Sequence, residues 1–174
     1  MTDLKSRMIR AAKLDIDLYE EVEADQEALG QAMVVVVLSS MAAGIGGFAH
    51  GGLGEMLFGI VVALFGWYIW AYLTYLIGTK VLPEPQTKAD HGELLRTIGF
   101  SSSPGLIRIF GIIPGFTGIV FLVASIWMLI SMVVAVRQAL DYESTWRAIA
   151  VCLIGWFAQA IMLGFLFNLL GSSA

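Results

Sequence analysis

Four stretches of the chain carry no Asp, Glu, Lys or Arg: residues 28–54, 56–79, 109–136 and 148–174. Each exceeds the ~20 residues an α-helix needs to cross a bilayer, so each predicts a membrane span. A shorter apolar stretch covers 97–118; Ser101-Ser102-Ser103-Pro104-Gly105 opens it, Arg108 interrupts it, and Gly111, Pro114, Gly115 and Gly118 break it. The pattern predicts five hydrophobic segments, at about 31–49, 56–78, 97–113, 116–137 and 147–170, behind a leader of residues 1–30. The expected fold is all-α: a polytopic integral membrane helical bundle whose third segment is short and broken at Gly-Pro-Gly.

That third segment is the awkward one. From Pro104 to Ile113 a helix rises only about 15 Å, half of a ~30 Å hydrocarbon core. Either the helix begins earlier, near Leu94, or the third and fourth segments form a shallow hairpin with its tip buried against neighbours, since irregular backbone at that depth needs protein or water around it. Pro104 suits a first helical turn, with the preceding serines as caps.

Leu14, Leu18, Val22 and Leu29 recur near a helical period, so the leader predicts an amphipathic amino-terminal helix at the membrane surface. Its early half, with Arg7, Met8, Ile9 and Arg10, suits anionic headgroups. Its late half holds seven carboxylates between Asp15 and Glu27 and is expected to project or to contact protein. In the linker, Leu82-Pro83-Glu84-Pro85 stops the second segment and Asp90 to Arg96 predicts a short surface helix.

Composition agrees with lipid as the main solvent: 58% of residues are hydrophobic and 14% charged, with a mean hydropathy of +0.81. The bases fix an orientation. With five segments, Lys5, Arg7, Arg10 and Lys13, then Lys80, Lys88 and Arg96, then Arg137 and Arg147 all fall on one side. The positive-inside rule makes that side cytoplasmic, with the carboxyl terminus outside and Arg108 one turn from the cytoplasmic face. The expected location is a bacterial cytoplasmic membrane, reached without a removable signal peptide.

Candidate chemistry is sparse. Cys152 stands alone in an apolar stretch, and Asp90, His91 and Glu93 do not share one helical face, so no metal and no cofactor is expected. The loop from Gly44 to Gly52, with His50, lacks the Lys and Ser/Thr of a phosphate-binding loop. No catalytic constellation is visible, so the chain reads as a non-enzyme. Arg108 reads either as a snorkelling cation or as an intramembrane functional group. Trp67 and Trp127 read as packing anchors or lipid-facing residues, and Gln159 and Asn168 as interhelical hydrogen bonders.

Two stretches resemble the Ypt-interacting protein (Yip) family: Asp17-Leu18-Tyr19 followed by Glu20-Glu21, and Gly99-Phe100-Ser101-Ser102-Ser103-Pro104 opening the third segment. The five-segment plan is similar too, and the bacterial branch is the most similar. Eukaryotic members continue Asp-Leu-Tyr with Gly-Pro, where Glu20-Glu21 stand here. For those members the resemblance implies binding of prenylated Rab-type GTPases in vesicle transport.

The expectation is a non-enzymatic membrane-organising adaptor, in which the acidic leader helix recruits a cytoplasmic partner while the short third segment perturbs or shapes the bilayer. Asp17, Leu18, Tyr19, Glu20 and Glu21 are its candidate partner-binding residues. Gly99, Phe100, Ser101, Pro104, Arg108 and Pro114 are candidates for a lipid or pore site. The partners expected are membrane lipids, a second copy of the chain and a cytoplasmic protein, and not nucleic acid. The alternatives are a small transporter or channel for lipid or apolar solute, and an accessory subunit of a larger membrane complex.

Overall fold

The computed structural model describes residues 3–47 and 53–171, with side chains over 3–47 and 54–161. His50, Ala174 and the side chain of Asn168 lie outside the described residues. The described chain is helical with no strand: α1 Leu4–Ala12, α2 Ile16–Ala24, α3 Ala28–Gly47, α4 Leu53–Leu76 ending in a π turn Ile77–Val81, α5 His91–Phe100, a 3-10 helix Ser103–Ile112, α6 Thr117–Ala139 and α7 Thr145–Gly171. Three helices are long and apolar enough to cross a bilayer: Ala28–Gly47, Gly54–Val81 and Thr117–Ala139. A shorter apolar stretch, Thr145–Ile161, opens α7.

The leader is a helical hairpin rather than a single helix. Asp3 caps α1 by accepting from the Lys5 amide, and Asp15 caps α2 by accepting from the Asp17 amide. Between them Leu14 takes a positive φ of 62°, which reverses the chain.

The third segment is likewise two pieces. Asp90 and Glu93 form a reciprocal capping box that starts α5. Leu94 to Phe100 are all buried, so α5 is an interior helix and not the surface helix expected from the linker. The serines cap the end of α5 rather than the start of the 3-10 helix: Ser101 Oγ donates to the Ile98 carbonyl and Ser103 Oγ to the Phe100 carbonyl, each at 2.7 Å. They satisfy acceptors that the helix end leaves open. Pro104 then sits in the first turn of the 3-10 helix, where its missing N–H is not needed.

This segment runs beside α3 in the same direction. Gly99 lies against Ala32, Gly105 against Ser39, and Gly111 and the Arg108 carbonyl against Gly46. At Gly46 an added Cβ would collide with the Arg108 carbonyl, so only glycine lets the two backbones approach there, and at Gly105 it would meet the Ser39 Oγ and Met128 side chains. From Ala32 to Gly46 is about 21 Å of helix rise, so the segment covers most of the length of α3. The chain then turns at Pro114-Gly115, with Gly115 at φ 85° and the Phe116 amide donating to the Ile113 carbonyl at 3.1 Å. Residues 112–116 are exposed, so the tip is not buried against neighbours as the hairpin reading expected. Helix α6 returns antiparallel, with Phe121 beside Gly111 and Met128 beside Gly105.

The ends of α4 and α6 are clasped together. The Tyr142 hydroxyl reaches the carbonyls of Gly78 (3.0 Å) and Leu82 (2.7 Å), and Arg147 Nε lies 3.3 Å from Glu84. The clasp puts both interhelical linkers at the leader end of the bundle. Along the bundle, Phe58, Phe65, Ile119, Leu122, Ile126, Phe157 and other large apolar side chains face outward. In water that surface would drive aggregation; in lipid it is the natural exterior.

Candidate functional site

Leu18 and Tyr19 are fully buried, in one cluster with Ala11, Val22, Ala28, Ala32, Val35, Phe100 and Ala135. The Tyr19 hydroxyl bonds to the Ser131 hydroxyl at 2.7 Å, and burial pushes the phenol pKa up to about 12. Trp127 Nε1 donates to the Ala12 carbonyl at 2.8 Å. The leader therefore reaches about halfway along α6 and covers one face of it. Leu18 and Tyr19 anchor the leader to its own bundle, while Asp17 and Glu20 stay exposed.

The leader's bases explain why its carboxylates can crowd. Arg7, 3% exposed, donates from Nε to Glu21 (2.9 Å), from one terminal nitrogen to Gln31 Oε1 (3.0 Å) and from the other to Asp25 (2.7 Å). Arg10 bridges Asp15 (2.7 Å) and the second oxygen of Glu21 (2.5 Å). These arginines join α1, α2 and α3, and their guanidiniums are spent on carboxylates and Gln31 within the leader and α3. Hydrogen bonds from Arg7 and Arg10 hold Asp25 and Asp15 below the usual carboxylate range. A third guanidinium, Arg96 of α5, caps the end of α2 by donating to the carbonyls of Val22 (2.9 Å) and Glu23.

What remains outward is acidic. Glu20 and Glu23 of the leader, Glu93 of α5, and Asp141 and Glu143 after α6 line a cleft of about 920 Å³, with Lys88 and Arg137 as its bases. Burial, followed by the charges of Glu93, Asp141 and Glu20, pushes Glu23 up to about 7. Gln138 Nε2 donates to Glu20 at 3.1 Å and closes one wall. The sequence reading missed Glu23, Glu93, Asp141 and Glu143, because they come from three separated segments.

The other candidates lie elsewhere. Gly99, Phe100, Ser101 and Pro104 are buried where α5 passes into the 3-10 helix. Pro114 is in the exposed far turn. Arg108 stands beside Gly46, near the end of α3 opposite the leader, so it is not one turn from the leader-side face. Its guanidinium carbon lies 5.6 Å from the Phe121 ring centroid. Its Nε is buried with no acceptor among the described residues, as are Trp70 Nε1 and both ring nitrogens of His91. His91 is edge-on to Tyr68 and Tyr72, and burial lowers its pKa. Among the described residues no group of three metal-ligating side chains converges.

A family model, the Yip1 domain, matches residues 17–167. No curated protein and no solved structure matches the chain. The chain belongs to the Yip1 domain family and is a multi-pass membrane protein of that type.

Proposed function

We propose that this member of the Yip1 domain family works without catalysis, as a membrane-organising adaptor that offers an acidic cleft to a basic segment of a cytoplasmic protein. The observation that carries the reading is the meeting of Glu20, Glu23, Glu93, Asp141 and Glu143 around one cleft of about 920 Å³. Like charges so gathered repel each other, which a cationic partner relieves. Five crossings suit the same reading. They place the leader and both linkers, with nine of the ten Lys and Arg residues, on the cytoplasmic side, and the carboxyl terminus outside.

The experiment is affinity purification from native membranes, comparing the wild-type chain with a Glu20→Gln/Glu23→Gln/Glu93→Gln variant. A partner recovered by the first and lost by the second, with the leader still protected from protease, supports the adaptor. Equal recovery removes the cleft from the account.

A second reading, bilayer shaping, rests on the leader alone. It adds cross-section along only one half of α6, with Ile9 and Ile16 exposed beside it. Such a wedge favours one leaflet over the other. Enrichment of the chain on narrow membrane tubules, lost when residues 1–27 are deleted, is the expected result.

A further inference from the structure

A second cavity, of about 650 Å³, runs along the bundle between α3, α4, α5, the 3-10 helix, α6 and α7. Its size falls within the ~300–1,000 Å³ of small-ligand sites. Arg108 and Glu55 line its far end. Met56 packs against Gly44 and the Arg108 carbonyl against Gly46, so Glu55 and Arg108 lie at a similar depth near the end of α3, where a bilayer's headgroups begin. They form no ion pair with each other, and Arg108 has none among the described residues.

Along α4 the cavity's lining runs from Glu55 to Trp70. That path is about 22 Å of helix rise, longer than the ~15 Å of one leaflet's hydrocarbon. Two of its five serine hydroxyls are turned onto backbone carbonyls. Ser40 donates to the Val36 carbonyl and Ser101 to the Ile98 carbonyl, which leaves walls compatible with a hydrocarbon chain. Ser125, Leu129 and Trp156 line the cavity while exposed on the bundle's surface, so it opens sideways toward lipid.

We propose that this cavity holds a phospholipid bearing an ammonium headgroup, such as phosphatidylethanolamine, with its phosphate on Arg108, its ammonium toward Glu55 and an acyl chain inside. The phosphate supplies the acceptor that Arg108 Nε lacks, and the Phe121 face holds the guanidinium in place. Glu55 disfavours a simple anion and suits a zwitterion. The chain enters from the side, between the exposed faces of α6 and α7.

Trp67, Trp70 and Trp156 line the cavity and report on it. The full chain is reconstituted in phosphatidylcholine vesicles containing a small fraction of brominated-chain phosphatidylethanolamine, phosphatidylglycerol or phosphatidylcholine, and tryptophan quenching is read. Brominated phosphatidylethanolamine is expected to quench in excess of brominated phosphatidylcholine. Arg108→Met lowers that preference about tenfold, the worth of a lost charge-assisted bond. Gly66→Leu, at a lining glycine whose Cβ meets nothing within 4 Å, fills the cavity and removes the excess while Arg108 stays. Glu55→Gln moves the preference toward phosphatidylglycerol. Equal quenching by all three lipids, excess unchanged in Arg108→Met and Gly66→Leu, or excess relieved by millimolar inorganic phosphate would overturn the proposal. The last would make the site one for a free anion.

Discussion

The Tyr19 hydroxyl bonds at 2.7 Å to the hydroxyl of Ser131, a residue midway along the apolar α6. The pair fixes how deep the leader sits. Tyr19→Phe keeps the ring but strands Ser131, and the expected cost is about 1–2 kcal/mol of leader docking. Tyr19→Ala also opens a cavity, for about 3–5 kcal/mol. Thermal unfolding in detergent, with protease cleavage within residues 1–27 as the local readout, checks both.

Arg7 is the second anchor. Arg7→Met leaves Glu21 and Asp25 without their shared guanidinium, a loss expected to cost about 1–3 kcal/mol, because both carboxylates are about a third exposed and Glu21 keeps Arg10. Arg7→Lys rescues only part, because one ammonium cannot reproduce a fork that reaches Glu21, Gln31 and Asp25 together. The two variants are ranked by the protease concentration that releases the leader.

Leader docking has a pH window whose two edges have separate causes. Asp15 and Asp25 titrate below their ordinary 3.8 when docked, so their contribution is present above that value and lost as pH falls below it. Glu23 has the opposite sign. Raised from 4.5 to about 7, it keeps in the fold a proton that the unfolded chain releases, so stability falls as pH rises from about 4.5 through about 7. Docking is expected to be tightest at about pH 4 to 4.5 and to weaken steadily toward 7. Glu23→Gln should flatten the alkaline edge and leave the acidic edge in place, as melting curves across pH will register.

At Gly46 the clash is with backbone. Gly46→Ala drives a methyl into the Arg108 carbonyl, which cannot rotate away, so α3 and the 3-10 helix must part. The expected result is a lower melting temperature and greater protease access near Pro114-Gly115. Gly59→Ala, where a Cβ meets nothing within 4 Å, is the control.

Charge-free runs located α3, α4 and α6, because excluding charge from some twenty residues is a constraint that only lipid or a deep core imposes. A helix starting at Asp90 and a chain break at Pro114-Gly115 were also legible, being set by local chemistry. Contacts between distant segments were not. Arg7 and Arg10 turn inward only because α2 folds back at Leu14, and a bulky residue at positive φ gives no sequence signal. Counting helical rise from Pro104 puts Arg108 at the leader end of the bundle, opposite to its place beside Gly46. The true path starts in α5 and runs along α3 through glycine contacts that periodicity cannot register. The acidic cleft escaped notice for the same reason, since its carboxylates meet only after α2, α5 and the turn following α6 have assembled.

The most direct test of the adaptor is site-specific photo-cross-linking in native membranes from a photoreactive residue at Lys88, on the rim of the cleft. The account predicts a discrete protein adduct that disappears with Glu20→Gln/Glu23→Gln/Glu93→Gln and persists with Arg108→Met. Adducts to lipid alone, or a protein adduct indifferent to the three neutralised carboxylates, would contradict it.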